Sequence, residues 1–186
     1  MRTLLHRSSP TGGARVRRPG MWVPLLFSLL VAGCSSDEDE LRLYCPGVIV
    51  VKDAGKIVNF KGEGRDLTDV IYQADIGAAI VGCEFDEETI EAELAVRVRV
   101  GRGPAGEEPR AGFTYFVAIA DAGRTIVARE EFDVDMALPE NKTLIEKIDQ
   151  VDYQLPVRPG ESGREYMVFV GFVLSPDAYE YNKKNR

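Results

Sequence analysis

The sequence predicts an all-β protein: an antiparallel β-sandwich of immunoglobulin or fibronectin III type, with about seven to nine strands and a short C-terminal helical turn. Three observations point there. Thr89–Val100 alternates cleanly, with Leu94, Val96, Val98 and Val100 on one face and Glu93, Arg97 and Arg99 on the other. Turn-forming Gly, Pro, Asp and Asn clusters recur between such runs. Phe113–Ala120 and Arg164–Leu174 are apolar on both faces, which marks a strand buried on both sides or covered by a partner. A closed barrel is the competing architecture.

Taken in order, Val48–Lys52 is a short β-branched strand, Asp53-Ala54-Gly55 a turn, and Lys56–Lys61 a second strand. Gly62–Asp66 breaks the pattern, and Asp66 is placed to cap a short turn before Thr68-Asp69. Val70, Tyr72, Ala74 and Ile76 then share one face, and the run resumes from Ala79 to Phe85. Two strands or one long bent strand fit this stretch, with Gly77 as the bulge or bend. Gly101–Gly112 reads as a protruding hairpin loop between two strong strands. Asp121-Ala122-Gly123-Arg124 is a hairpin turn. It leads into Thr125–Met136, with Ile126, Ala128, Phe132, Val134 and Met136 inward and Arg129, Glu131, Asp133 and Asp135 outward. Thr143–Leu155 mixes helical and alternating spacing; its extended end before Pro156 and its strand neighbours decide for strand. Ser175-Pro176-Asp177 is a helix-start signal, and Lys183, Lys184 and Arg186 sit where the helix dipole favours cations.

The first 43 residues follow a different logic. A segment with five arginines precedes an apolar run, Trp22 to Val31, which closes on Leu30-Val31-Ala32-Gly33-Cys34. From Met21 to Gly33 the run is shorter than the roughly 20 residues that a membrane-spanning helix needs. Translation from Met21 would leave no positive charge before it, so a start upstream, at Met1, is favoured. The pentapeptide resembles a bacterial lipobox. The resemblance implies that residues 1–33 are a cleaved signal peptide, that Cys34 is lipidated, and that 34–43 form an acidic tether containing Asp37-Glu38-Asp39-Glu40. The sandwich domain would then be 44–186. Ser35 after the lipidated cysteine resembles the outer-membrane rather than the inner-membrane class, so the domain is expected to face the periplasm from the outer membrane, with the inner membrane as second choice.

Processing has chemical consequences. It removes five of the 23 basic residues and none of the 30 acids, leaving 18 against 30 and a formal charge of −12. So acidic a surface offers no footprint for nucleic acid. It also removes His6, the sole histidine, and with it the residue on which Ser-His-Asp triads and most zinc sites depend. Cys45 and Cys83 remain as an even pair in an oxidising compartment, for which a disulfide is the natural reading and two buried thiols the alternative.

No catalytic motif is present. Gly62-Glu63-Gly64 and Gly101-Arg102-Gly103 do not open helices and read as turn glycines. Carboxylate neighbours such as Glu87/Glu88 and Asp133/Asp135 are expected by chance among 30 acids. No catalytic residue, metal ligand or cofactor is assigned, and a non-enzymatic protein is expected. Binding is the more plausible class, and the Gly101–Gly112 loop is the leading candidate, with Arg102, Glu107, Glu108 and Arg110 as its charged contacts. Tyr115, Phe116, Tyr166, Phe169 and Phe172 are aromatics for a sandwich core or, alternatively, for a pocket holding an acyl chain. Tyr179 and Tyr181 either dock on a partner or fold back on the domain.

Three strings, Gly64-Arg65-Asp66-Leu67-Thr68-Asp69-Val70, Tyr115-Phe116-Val117-Ala118, and Gly171-Phe172 followed by Tyr181-Asn182, resemble those of uncharacterised envelope lipoproteins of proteobacteria. That resemblance implies no activity and no assigned site. The expectation is a non-catalytic interaction or scaffolding module of the envelope, held by its lipid and meeting a protein partner. A carrier of an apolar ligand and an accessory of an envelope secretion or export complex are the alternatives.

Overall fold

The computed structural model describes residues 44–86, 88–107, 109–158 and 161–185, with backbone alone for 79–81. The lipobox, Cys34 and the acidic tether lie outside the described residues. Among these, eight strands form two four-stranded sheets: β1 Gly47–Val50, β2 Lys56–Phe60, β3 Val70–Phe85, β4 Thr89–Arg102, β5 Arg110–Ala120, β6 Ile126–Ala137, β7 Leu144–Pro156 and β8 Met167–Phe172. One sheet has the order β1-β8-β5-β6 and the other β2-β3-β4-β7. The result is the all-β sandwich that the alternation predicts, with one departure: β1 runs parallel to β8, while the other pairs are antiparallel.

β4 shows why the pattern works. Ile90, Leu94, Val96, Val98 and Val100 are at most 1% exposed. The opposite face carries Arg99 beside Asp75 (3.3 Å) and Arg97 beside Glu146 (3.6 Å). Across the interior, Ala111, Phe113, Tyr115 and Val117 of β5 meet this face, joined by Val168, Val170 and Phe172 of β8. Phe113 packs edge-on to Phe172, and Tyr115 stacks on Phe132, with ring centroids 5.3 and 5.1 Å apart. Each fully buried aliphatic of this kind contributes roughly 1.5–3 kcal/mol.

Three tyrosines bring hydroxyls into this interior. Tyr72 donates to the Gly112 carbonyl at 2.5 Å. Desolvation raises the Tyr115 phenol well above its ordinary pKa, and the nearby Asp149 carboxylate reinforces the effect by charge and by accepting its hydrogen bond. The Tyr153 hydroxyl is buried with no hydrogen-bond partner among the described residues. Removing an unsatisfied buried polar atom of this kind relieves about 1 kcal/mol of desolvation. Tyr153→Phe is therefore expected to leave stability unchanged or raise it by up to about 1 kcal/mol, read as the urea midpoint; a clear loss would reveal a partner for this hydroxyl.

The bridge between Cys45 and Cys83 is formed, with Cα atoms 5.8 Å apart. It joins the segment entering β1 to β3, so it ties one sheet's approach to the other sheet. The helix α1, Pro176–Lys184, starts where expected: the Ser175 hydroxyl accepts the Ala178 N–H at 3.2 Å. Tyr181 folds back on Phe60 of β2 (5.1 Å), and Asn182 donates to the carbonyls of Asp53 and Lys56. Tyr179 stays exposed.

Several local expectations are corrected. β3 is one long strand, but its irregularity lies between Ile80 and Gly82; Gly77 keeps its place opposite Arg97. Arg164 is not in a strand. Gly163–Glu165 form a 3-10 turn, and β8 starts only at Met167. The turn is held because the Ser162 hydroxyl accepts the Arg164 N–H, and because Gly163 packs so tightly that a Cβ would lie 2.3 Å from the Tyr44 carbonyl oxygen. Ile126 points outward, not inward, because the β5–β6 register shifts between Ile119 and Ala120. A bulge reverses the parity of the strand beyond it.

Candidate functional site: a trough on the outer face of one sheet

The Gly101–Gly112 stretch is not a hairpin loop. β4 and β5 belong to different sheets, and the chain between them crosses from one to the other. It lies against β3: the N–H groups of Gly103 and Ala105 donate to the carbonyls of Ile71 and Val70. The glycines serve that approach, since a Cβ on Gly103 would lie 2.1 Å from the Val70 carbonyl oxygen. Three of the charged residues singled out in the sequence, Arg102, Glu107 and Arg110, have partners within the chain. Arg102 donates to the Gly106 carbonyl at 2.7 Å and to that of Leu138. Glu107 pairs with Lys61 at 3.0 Å. Arg110 grips Asp135 through Nε and Nη2, and that carboxylate raises the arginine's pKa. Glu108 lies outside the described residues. These contacts fasten a crossover.

The outer face of the β1-β8-β5-β6 sheet has a different character. Its side chains alternate large and small across the strands. Gly47 stands beside Met167, which faces Ala120; Ile49 stands beside Phe169, which faces Ala118; Gly171 faces Phe116. Gly171 leaves the space that the Phe116 ring occupies, since a Cβ there would sit 3.1 Å from the ring. Small residues beside large ones sink the surface into a trough of about 910 Å³. That volume falls in the range of small-molecule sites. Val51 and the outward-turned Ile126 extend its apolar lining, and Ile49 and Ile126 are 44% and 53% exposed.

Most of the charge stands at one end. Two turns form one end: Asp121–Arg124, and Gly163–Glu165 before β8. They contribute Arg124 and Arg164 together with Asp121 and Glu165. Arg164 lies over the Tyr44 ring at 3.4 Å from the centroid, so this is also the end at which the described chain begins. Arg129 flanks the trough, its guanidinium 4.7 Å from the Phe116 centroid and 2.6 Å from Glu131. The Asp121 carboxylate accepts the Thr125 N–H at 2.9 Å.

Arg124 has a backbone φ of +65°. Among the described residues it is the one non-glycine with positive φ, and Gly123 stands one position too early to relieve it. A side chain in the left-handed region costs roughly 1–2 kcal/mol, and such outliers concentrate at functional positions.

The aromatics thus divide. Tyr115 and Phe172 are core, whereas Phe116, Tyr166 and Phe169 line the trough. The two-sided apolar pattern of β5 and β8 was the sequence signal for it. No cluster of metal-ligating side chains occurs among the described residues, and no described helix is long and apolar enough to cross a membrane. Compared with protein-family models, curated proteins and solved structures, the chain matches none of them.

Proposed function

We propose that this protein is a lipid-anchored module of the bacterial envelope, tethered through Cys34 and facing the periplasm, that works by non-catalytic binding through the outer face of its β1-β8-β5-β6 sheet. One observation carries the binding reading: the sandwich interior is filled, while an apolar trough lies open on an otherwise heavily charged surface. A concave, mostly apolar surface with a few polar groups at its edge is the usual form of a binding site. The filled interior counts against a carrier that encloses its ligand between the sheets. The tether reading rests on the lipobox and its acidic spacer.

Two experiments test the two halves separately. The wild-type N-terminal peptide is expected to begin at Cys34 and to carry acyl mass, and Cys34→Ser is expected to lose both that mass and the cleavage after Gly33. A wild-type peptide without acyl mass, or normal cleavage of the variant, would refute the anchor. For the binding face, a photo-crosslinking amino acid placed at Ile126 in the trough is expected to capture an adduct in cells. The same group at Leu144, which is 60% exposed on the other sheet, should capture none. Equal yields at the two positions, or none at either, would discard the trough as the binding face.

A further inference from the structure

The trough's occupant can be named by chemistry. We propose that it holds one acyl chain of an anionic phospholipid drawn from the membrane, with the phosphate received by Arg124 and Arg164. The choice of a membrane source rests on the anchoring reading; the apolar chain and anionic head rest on the trough alone.

Three features support this occupant. The lining is mostly hydrocarbon, with Phe169 and Phe116, the latter partly covered by the Arg129 guanidinium, as its largest surfaces and alanines giving it depth. The basic groups are guanidiniums, which match phosphate oxygens with paired donors. They stand out in a chain whose net charge is −7. The acids Asp121 and Glu165 also line that end; Asp121 is partly engaged by the Thr125 N–H. Arg124 has no side-chain partner among the described residues, and its left-handed backbone holds it at the turn beside the trough.

The geometry of attachment fits as well. The charged end of the trough is the end where the chain enters, through Tyr44 beneath Arg164. The ten residue steps from Cys34 to Tyr44 span at most about 35 Å, so an anchored chain can bring this end to the bilayer.

The test uses the mature chain from residue 34 carrying Cys34→Ser, which lacks the apolar run and five arginines of residues 1–33 and needs no anchor. Dodecyl phosphate and dodecyl maltoside are titrated calorimetrically below their micellar concentrations, with inorganic phosphate as a third arm. Dodecyl phosphate is expected to bind at least tenfold more tightly than the maltoside, with inorganic phosphate showing no measurable binding. Lengthening the alkyl phosphate should tighten binding by about two- to fourfold per methylene.

Arg124→Gly separates ligand recognition from folding. Glycine relieves the left-handed strain, so the thermal midpoint should rise while dodecyl phosphate affinity falls about tenfold and maltoside affinity holds. Phe169→Asp should abolish binding of both, with the circular dichroism spectrum retained. Flotation with phosphatidylcholine vesicles should require added phosphatidylglycerol. Equal affinity for the two detergents, binding of inorganic phosphate alone, or an Arg124→Gly variant that binds as wild type would each overturn the proposal. So would a trough found closed by a second copy or by a protein segment.

Discussion

Replacing Cys45 and Cys83 together by serine is expected to lower the unfolding free energy by about 4 kcal/mol. The bridge closes a sequence separation of 38 residues, and loop-closure entropy of the unfolded chain sets the size of the effect. The loss should fall first on β1. That strand has four residues, lies at a sheet edge, and pairs only with β8, which is more than a hundred residues away in sequence. Little local interaction holds it once Cys45 is released. β1 also supplies Ile49 beside the trough, so reduction should weaken ligand binding along with stability. Urea unfolding of the double variant, and of wild type with and without reductant, measures the effect. A midpoint that moved by less than the equivalent of about 1 kcal/mol would show that the bridge decorates an already rigid edge.

A second large effect is expected at alkaline pH. Desolvation raises the pKa of all three interior tyrosines. Tyr72 is raised despite an opposing hydrogen bond from Asn59, Tyr153 is pushed up to about 12, and Tyr115 is raised furthest. For an acid whose folded pKa exceeds its unfolded value near 10, the native state holds the proton more tightly. The resulting stability is fully present below pH 10 and is lost as the pH climbs toward the folded value. Each such tyrosine contributes a slope of up to about 1.4 kcal/mol per pH unit. Two or three acting together can remove several kcal/mol by pH 12, a large share of a typical domain's stability. Cooperative alkaline unfolding between pH 10 and 12 is the expected result, with phenolate absorbance rising together with the loss of sheet signal. Tyr153→Phe should reduce the number of protons coupled to the transition by about one. Ionisation of Tyr72, Tyr115 and Tyr153 with the sheet signal still intact would contradict this account.

The strands were legible because burial on one side writes itself into alternation, and β4 is the clearest case. The two-sided runs in β5 and β8 were legible too, as strands needing cover on both faces. Which strands lie beside them was not. The trough exists because β1, β8 and β5 are adjacent, and that adjacency depends on pairings between distant residues. Nor could periodicity reveal the bulge before Ile126, which reverses a whole face through one extra residue. The Gly101–Gly112 stretch misled for another reason. Glycine and proline serve a hairpin tip and a crossover equally well, and only the carbonyls of Val70 and Ile71 distinguish them. Arg124 was similarly hidden, since the adjacent Gly123 is the residue that a left-handed position ordinarily selects.

The position of the disulfide also governs how mechanical load would pass through the domain. Any pull on the chain from the N-terminal side of Tyr44 reaches Cys45 one residue later, before it reaches β1. The covalent bond passes that force to Cys83 in β3, where the strand is paired with Ala92 in the long β3–β4 ladder. The hydrogen bonds between β1 and β8 are thereby shielded from tension, and so is the wall that Ile49 gives the trough. Under reducing conditions the same pull would act on those bonds directly and would peel β1 from the sheet, so the domain's grip on a ligand under load would depend on the redox state of one bond.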